Sequence, residues 1–190
     1  MLIFDTKYRK KVTLSPEKDN TIRMYTCGPT VYNYVHIGNL RTFVFEDLLR
    51  RTIKFFGMGV FQVMNLTDVD DKTIKGATEK NISLAEFTDP FEKAFIEDLK
   101  ILMVEPAEKY PKATEFISQM ISMILKLIEK GFAYLTDAGD VFFRIASFKR
   151  YGELSHLNLE KLEDGASLRV CSDEYDKENA SDFVLWKGYN

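Results

Sequence analysis

Ile22-Arg-Met-Tyr-Thr-Cys27, Leu40-Arg-Thr-Phe-Val-Phe-Glu-Asp-Leu-Leu-Arg-Arg-Thr-Ile53 and Val60-Phe-Gln-Val-Met-Asn-Leu-Thr67 decide the fold. The first run is apolar with β-branched and aromatic members and is stopped by Gly28-Pro29, so it reads as a buried strand closing at Cys27. In the second, Phe43, Val44, Leu48 and Ile53 recur at helical spacing with Arg41, Arg50, Arg51 and Lys54 between them, and Gly57 supplies the stop. The third is again a strand. Residues 22 to 67 therefore form one strand, helix, strand unit, which the crossover rule closes right-handed with its strands parallel. The fold class is α/β, and this unit is half of a nucleotide-binding fold.

Working outward, Asp68-Val-Asp-Asp71 begins a helix through Thr78, and Ser83 with Glu86 three positions on has the form of a capping box. Asp89-Pro90 repeats the start signal, Asp89 as cap and Pro90 at the first helical position, for a helix from about Pro90 to Met103 with Phe91, Phe95, Leu99 and Leu102 on one face. Another helix spans about Lys112 to Lys130, where Phe116, Met120, Ile124, Leu127 and Ile128 share a face and Gly131 ends it. Phe132 to Thr136 and Val141 to Ile145 flank the turn Asp137-Ala-Gly-Asp140 as a β-hairpin. Residues 172 to 182 read as an acidic, solvated loop before a last strand at Phe183-Val-Leu-Trp186. Two parallel strands with one crossover do not cover both faces of a doubly wound sheet, so a second half of that fold is not visible here.

Composition narrows the function classes. The 190 residues are 45% hydrophobic and 29% charged with a formal charge of −3, which excludes disorder and points to no global affinity for nucleic acid or membrane. The distribution is uneven: residues 1 to 60 hold ten basic and five acidic side chains, an excess that suggests an anionic partner for the first third. Cys27 and Cys171 are too few and too far apart for a disulfide framework. Met1 to Phe4 run straight into Asp5 and the basic stretch Lys7 to Lys11, unlike a secretory signal, and no eighteen apolar residues follow one another. A soluble, cytoplasmic protein is expected.

The densest chemistry lies in Thr26-Cys-Gly-Pro-Thr-Val-Tyr-Asn-Tyr-Val-His-Ile-Gly-Asn39, between the first strand and the helix. Helix-start amides and the helix dipole favour an anion there, Gly38 admits close approach, and His36 can hydrogen-bond a charge developing on phosphorus. His36 serves equally as a helix cap or a core residue, and Cys27 as a small core residue at a strand end. Asp68, Asp70 and Asp71 stand either at a ligand-binding strand edge or as caps of the next helix. Arg41, Arg50, Arg51 and Lys54 read as a solvated helix face rather than an RNA-facing stripe, with Arg41 close enough to the helix start to meet a bound anion.

Taken as a string, Met24-Tyr-Thr-Cys-Gly-Pro-Thr-Val-Tyr32, His36-Ile-Gly-Asn39, Arg41-Thr42 and Asn65-Leu-Thr-Asp-Val-Asp-Asp-Lys72 resemble the signature of cysteinyl-tRNA synthetases, a class I family. Lys130-Gly-Phe-Ala-Tyr134, Gly139-Asp-Val141, Tyr151-Gly-Glu-Leu-Ser155 and Asp182-Phe-Val-Leu-Trp-Lys187 continue the match over essentially the whole chain. The resemblance implies that residues 1–105 are the first half of a Rossmann-like catalytic fold and residues 106–190 a connective insertion returning toward the second half. It implies ATP binding by His36, Gly38, Asn39 and Arg41, with His36 and Asn39 catalytic and Asn39 standing where the family's motif ends in His. Gly28, Thr30 and Thr67 would border the cysteine, and Cys27 would be one ligand of an active-site zinc, the others lying beyond residue 190.

By that resemblance the intact enzyme, expected to be a monomer, activates cysteine with ATP and magnesium and transfers it to its tRNA. The lysine-bearing phosphate loop and the tRNA-binding helical regions are absent from these residues, so they are expected to be inactive and to hold zinc weakly or not at all alone. Two rivals stand beside it: a related ligase passing cysteine to an amino-sugar acceptor, and a short non-catalytic paralogue that binds RNA or a protein partner.

Overall fold

The computed structural model describes residues 1–16, 19–157 and 182–188, which divide into two compact units. The first comprises Met1–Leu2 and Thr13–Ile117, the second Ile3–Val12 and Ser118–Asn190. The predicted loop at 172–182, Asp182 apart, and Cys171 lie outside the described residues.

The strand, helix, strand unit is present in the first body. It consists of β3 (Thr21–Thr26), α1 (Ile37–Phe55) and β4 (Gly59–Met64); the strands earlier in the chain, β1 (Leu2–Asp5) and β2 (Lys10–Thr13), fall almost wholly in the second unit. β3 and β4 pair parallel, Thr21 opposite Gly59 and Thr26 opposite Met64. Cys27 lies just past the strand. Gly57 takes φ +78 and turns the chain into β4, a conformation for which glycine carries no Cβ penalty. The core joins Phe43 of α1 and Met64 and Leu66 of β4 and its extension to Phe95 and Leu99, with Phe43 and Phe95 edge to face at 5.0 Å.

Two helices follow, α2 (Asp71–Lys80) and α3 (Leu84–Ile101). Asp70 caps α2 by accepting from the amides of Lys72 and Thr73, and Asn81 ends it at φ +52. The expected start of α3 at Pro90 is overturned: Ser83 is the N-cap, and its capping box with Glu86 begins the helix at Leu84, nearly two turns earlier. Pro90 then sits inside the helix, where it forfeits one amide bond, while Asp89 is left to pair with Lys93 across one turn. Of two adjacent start signals, the one that satisfies two orphan amides reciprocally prevails.

Arg50 also departs from the solvated face on which the sequence put it. It is 4% exposed and bonds Glu108 through both Nη atoms at 2.9 and 2.6 Å, and Glu105 through Nε at 2.9 Å. Arg51 and Lys54 keep to the surface, paired with Asp47 and Glu105.

A short 3-10 turn (Ala113–Phe116) closes the first unit and leads into α4 (Ile117–Glu129), which from Ser118 on belongs to the second, as expected, but none of the residues of α4 is buried. Periodicity identified an apolar face without supplying its cover. β5 (Ala133–Leu135) and β6 (Val141–Phe143) form the expected hairpin, with Gly139 at φ +87 in its turn. The last strand, β7 (Phe183–Trp186), pairs antiparallel with β6. Asp182, 2% exposed, locks this sheet by accepting from Tyr134 Oη at 3.1 Å and the Ile145 amide at 2.9 Å.

The Arg50 guanidinium beside Glu108 holds that carboxyl down at about 2, against 4.5 ordinarily. A carboxylate depressed on folding stabilises above its unfolded value and loses that contribution as pH falls toward the folded one. Urea unfolding of Glu108→Gln is therefore expected to show a deficit at neutral pH that shrinks between about pH 4.5 and pH 2. Arg50→Ala, which leaves Glu108 without its cation while Glu105 keeps Lys54, should lower stability by about 3 kcal/mol.

Candidate active site

The loop after β3 is tied across to the chain beyond β4. The Val31 amide donates to the Thr67 carbonyl and the Thr67 amide to the Pro29 carbonyl, both at 3.0 Å, with Thr30 bridged parallel to Thr67. Thr30 and Thr67, far apart in sequence, are thus adjacent at the carboxyl edge of the two strands, where open α/β sheets bind ligands.

Gly28 lies against the same edge for a steric reason. A Cβ there would fall 1.9 Å from the backbone oxygen of Asn65, so only glycine lets the two segments approach this closely. The Asn65 side chain completes the joint. Its Oδ1 accepts from the Gly28 amide at 3.2 Å and from Tyr25 Oη at 3.0 Å, and its Nδ2 donates to Thr67 Oγ1 at 3.2 Å. The sequence reading assigned no role to Asn65, because a polar side chain at a strand end carries no periodic signal.

Cys27, between Thr26 and this joint, is exposed, and among the described residues its Sγ meets only the Gly28 carbonyl, at 3.7 Å. Thr26 is buried and accepts from Gln62 Nε2 at 3.1 Å. Glu46 of α1 reaches the same hydroxyl; burial pushes its carboxyl up, and the Thr26 hydrogen bond opposes that rise.

At the other side of the loop His36 is the N-cap of α1. Its Nδ1 accepts from the Gly38 amide at 3.0 Å, while Asn39 Oδ1 accepts from the His36 amide at 3.3 Å. Cap and ligand are not exclusive roles for this imidazole. With Nδ1 fixed as acceptor, the neutral ring carries its proton on Nε2, which has no partner among the described residues. His36 and Asn39 line a cavity of about 260 Å³ together with Thr30, Tyr32 and Tyr34. Lys72 stands beside it, its Nζ 4.6 Å from the centroid of the Tyr32 ring. Gly38 and Arg41 are exposed at the start of α1.

Asp70 is a cap and Asp68 a strut: buried, it accepts from the Thr114 amide at 3.0 Å and from the Thr114 hydroxyl. Among the described residues no three His, Cys, Asp or Glu side chains cluster as a metal site.

The same residues mark a known family. Residues 13–190 match the model described as tRNA synthetases class I (C) catalytic domain. The chain belongs to that family. Relatives named cysteine–tRNA ligase include one from Protochlamydia amoebophila, 57% identical over 99% of this chain and 39% of its own length. Others come from Chlamydia pneumoniae, 53% identical over 100% of this chain and 40% of the relative, and Brachyspira hyodysenteriae, 51% identical with the same coverage. The chain spans about two fifths of the length of these curated relatives. The α/β architecture with its small parallel sheet is that of a class I synthetase catalytic domain. No helix among the described residues is long and apolar enough to cross a membrane.

In this synthetase-family loop the Gly28 approach is testable by itself. Gly28→Ala is expected to force apart the 28–31 and 65–67 segments, lowering the thermal midpoint and speeding hydrogen exchange at the Val31 and Thr67 amides. Unchanged exchange at those two amides would count against the steric requirement.

Proposed function

We propose that the intact protein to which this chain belongs is a cysteine–tRNA ligase, acting in the cytoplasm as a monomer. It would activate cysteine with ATP and magnesium to cysteinyl-adenylate and transfer the cysteinyl group to its tRNA. Residues 1–105 would supply the first half of the catalytic fold and 106–190 the connective insertion. The observation that carries this reading is the joint that sets Cys27, Gly28, Thr30 and Thr67 at one strand edge, with the His36 cap closing the same loop.

Each residue has a separable task. His36 Nε2–H would donate to the charge that develops on the ATP phosphates, held in place by the bond its Nδ1 accepts from Gly38. Asn39 holds His36 through the cap and would lend its amide group to the nucleotide, and Gly38 would let the phosphates close on the helix start. Arg41, one turn in, would add positive charge. Gly28, Thr30 and Thr67 would border the amino acid on the rigid strand edge.

The residues fit a zinc ion in part: Cys27 offers an exposed thiol as one ligand, and the remaining ligands would come from outside residues 1–190. Bound there, zinc would ionise and hold the thiol of the substrate, which a hydroxyl replaces poorly. That coordination would reject serine where pocket shape alone discriminates weakly between near-isosteres.

The test uses the full-length enzyme. His36→Ala should lower cysteine-dependent ATP/pyrophosphate exchange by roughly 10²-fold. His36→Asn should keep the cap and its stability, of about 1 kcal/mol, without restoring the rate; recovery of exchange by Asn would reduce His36 to a structural cap. Cys27→Ser should lower zinc content and cysteine affinity together, and retained zinc with normal rejection of serine would remove Cys27 from the ligand set.

A further inference from the structure

Four of the five residues from Lys7 to Lys11 are basic, and they form the tip of a two-stranded hairpin that the synthetase chemistry leaves unused. β1 and β2 are joined by only four residues, a connection that demands antiparallel strands and projects Lys7, Tyr8 and Arg9 at the turn. Lys7, Tyr8, Arg9, Lys10 and Lys11 are all exposed, and none of the four cations has an ion-pair partner among the described residues.

A charge run on a surface is ordinarily a solvated face, but three features set this one apart. First, the tip is pre-shaped: Asp5 Oδ1 accepts from the Tyr8 amide at 3.0 Å, and Arg9 holds φ +50. Second, a distant segment is fastened to it, since His156 Nε2 and the Lys7 carbonyl are hydrogen-bonded at 2.8 Å. That segment, itself turned at Gly152 and His156 with positive φ, carries the exposed Lys149. Third, among the described residues Glu153 is already ion-paired with Arg150, and Asp5, bound to the Tyr8 amide, is a single carboxylate against the four cations of the tip, which keeps a net positive charge. An exposed Tyr8 ring, with Lys7 Nζ 5.5 Å from its centroid, adds an aromatic face among the cations.

We infer that the Lys7–Lys11 hairpin tip is an RNA-docking surface that grips the phosphate backbone of the tRNA substrate. This rests on the ligase reading above. Unpaired cations on an ordered scaffold gain by releasing the counterions condensed on RNA, whereas a flexible tail would first have to be ordered. A tyrosine within the patch offers a base or ribose a stacking face without sequence preference. The surface contributes affinity and salt dependence, and it leaves amino-acid activation untouched.

The experiment compares the full-length enzyme with a variant carrying Lys7→Gln, Arg9→Asn, Lys10→Gln and Lys11→Gln, asparagine being chosen because it tolerates positive φ. ATP/pyrophosphate exchange needs no tRNA, so it reports folding and the ligase reading; aminoacylation of a transcribed cysteine tRNA reports the tip. Exchange is expected to be unchanged, the KM for tRNA to rise by roughly tenfold, and the slope of log affinity against log salt to flatten by about 3. Unchanged KM and slope would overturn the inference. Binding to phosphatidylserine vesicles that the variant loses, with tRNA KM intact, would overturn it too and assign the tip to a membrane surface. Should the fourfold variant lose exchange through misfolding, Lys10→Gln with Lys11→Gln alone decides, by the same KM and a slope change of about half that size. Wild-type enzyme without exchange would instead refute the ligase reading.

Discussion

The first body depends on one buried cation. Arg50 stands on the inward side of α1 and reaches two carboxylates, Glu105 and Glu108, from the segment that follows α3. Glu108 also accepts from the Gln62 amide of β4, and the Gln62 side chain donates to Thr26 at the end of β3. One guanidinium therefore ties the crossover helix, both parallel strands and the returning chain. Desolvating an arginine this fully is tolerable only because its fork is matched by carboxylates that still touch solvent. The arrangement sets position more than it adds net stability, since such pairs roughly offset their own desolvation.

That constraint ends one residue short of Cys27, the proposed zinc ligand. Thr26 is fixed by Gln62, and Gly28 is fixed by Asn65, so Cys27 is held on both sides while its own side chain stays exposed. Had the β3–β4 ladder simply continued, the chain would have had no room to turn at Gly28-Pro29 and return to Thr67 as an isolated bridge. Side-chain amides replace ladder bonds at this point. They allow the backbone to diverge while keeping its polar groups satisfied, the condition under which buried loops are tolerated.

Much of this was legible in the sequence. The parallel unit followed from hydrophobic spacing, the Gly57 stop and the short apolar runs, and the family motif fell where the strand edge meets the helix start. What escaped has identifiable causes. Arg50 lies seven residues after Phe43 and three before Ile53, hence on the core stripe of α1, but a charged side chain is read by default as solvent-facing. The start of α3 turned on the competition of two valid signals, and the one using a reciprocal cap took precedence over the proline. The apolar face of α4 was correctly found by its period, which says nothing of what lies opposite. Gly28 was noticed as a turn residue, yet its real constraint, a carbonyl 1.9 Å from any Cβ, is tertiary.

The same stripe places Glu46 one turn before Arg50, and the two polar intruders meet opposite fates. Arg50 finds carboxylates at every donor group, whereas Glu46 keeps one carboxyl oxygen buried with no hydrogen-bond partner among the described residues. Its carboxyl is raised because burial disfavours the charge, and the single Thr26 contact only partly opposes this. Glu46 and Gln62 thus converge on one hydroxyl, the former from the helix and the latter from the neighbouring strand. A threonine hydroxyl accepts from the Gln62 amide and has a proton left to offer the acid, a pairing of functions that a residue lacking either cannot supply. The end of β3 is therefore specified by hydrogen-bond chemistry rather than by packing volume, and that network, with one Glu46 oxygen still open, ends at the residue before the exposed thiol.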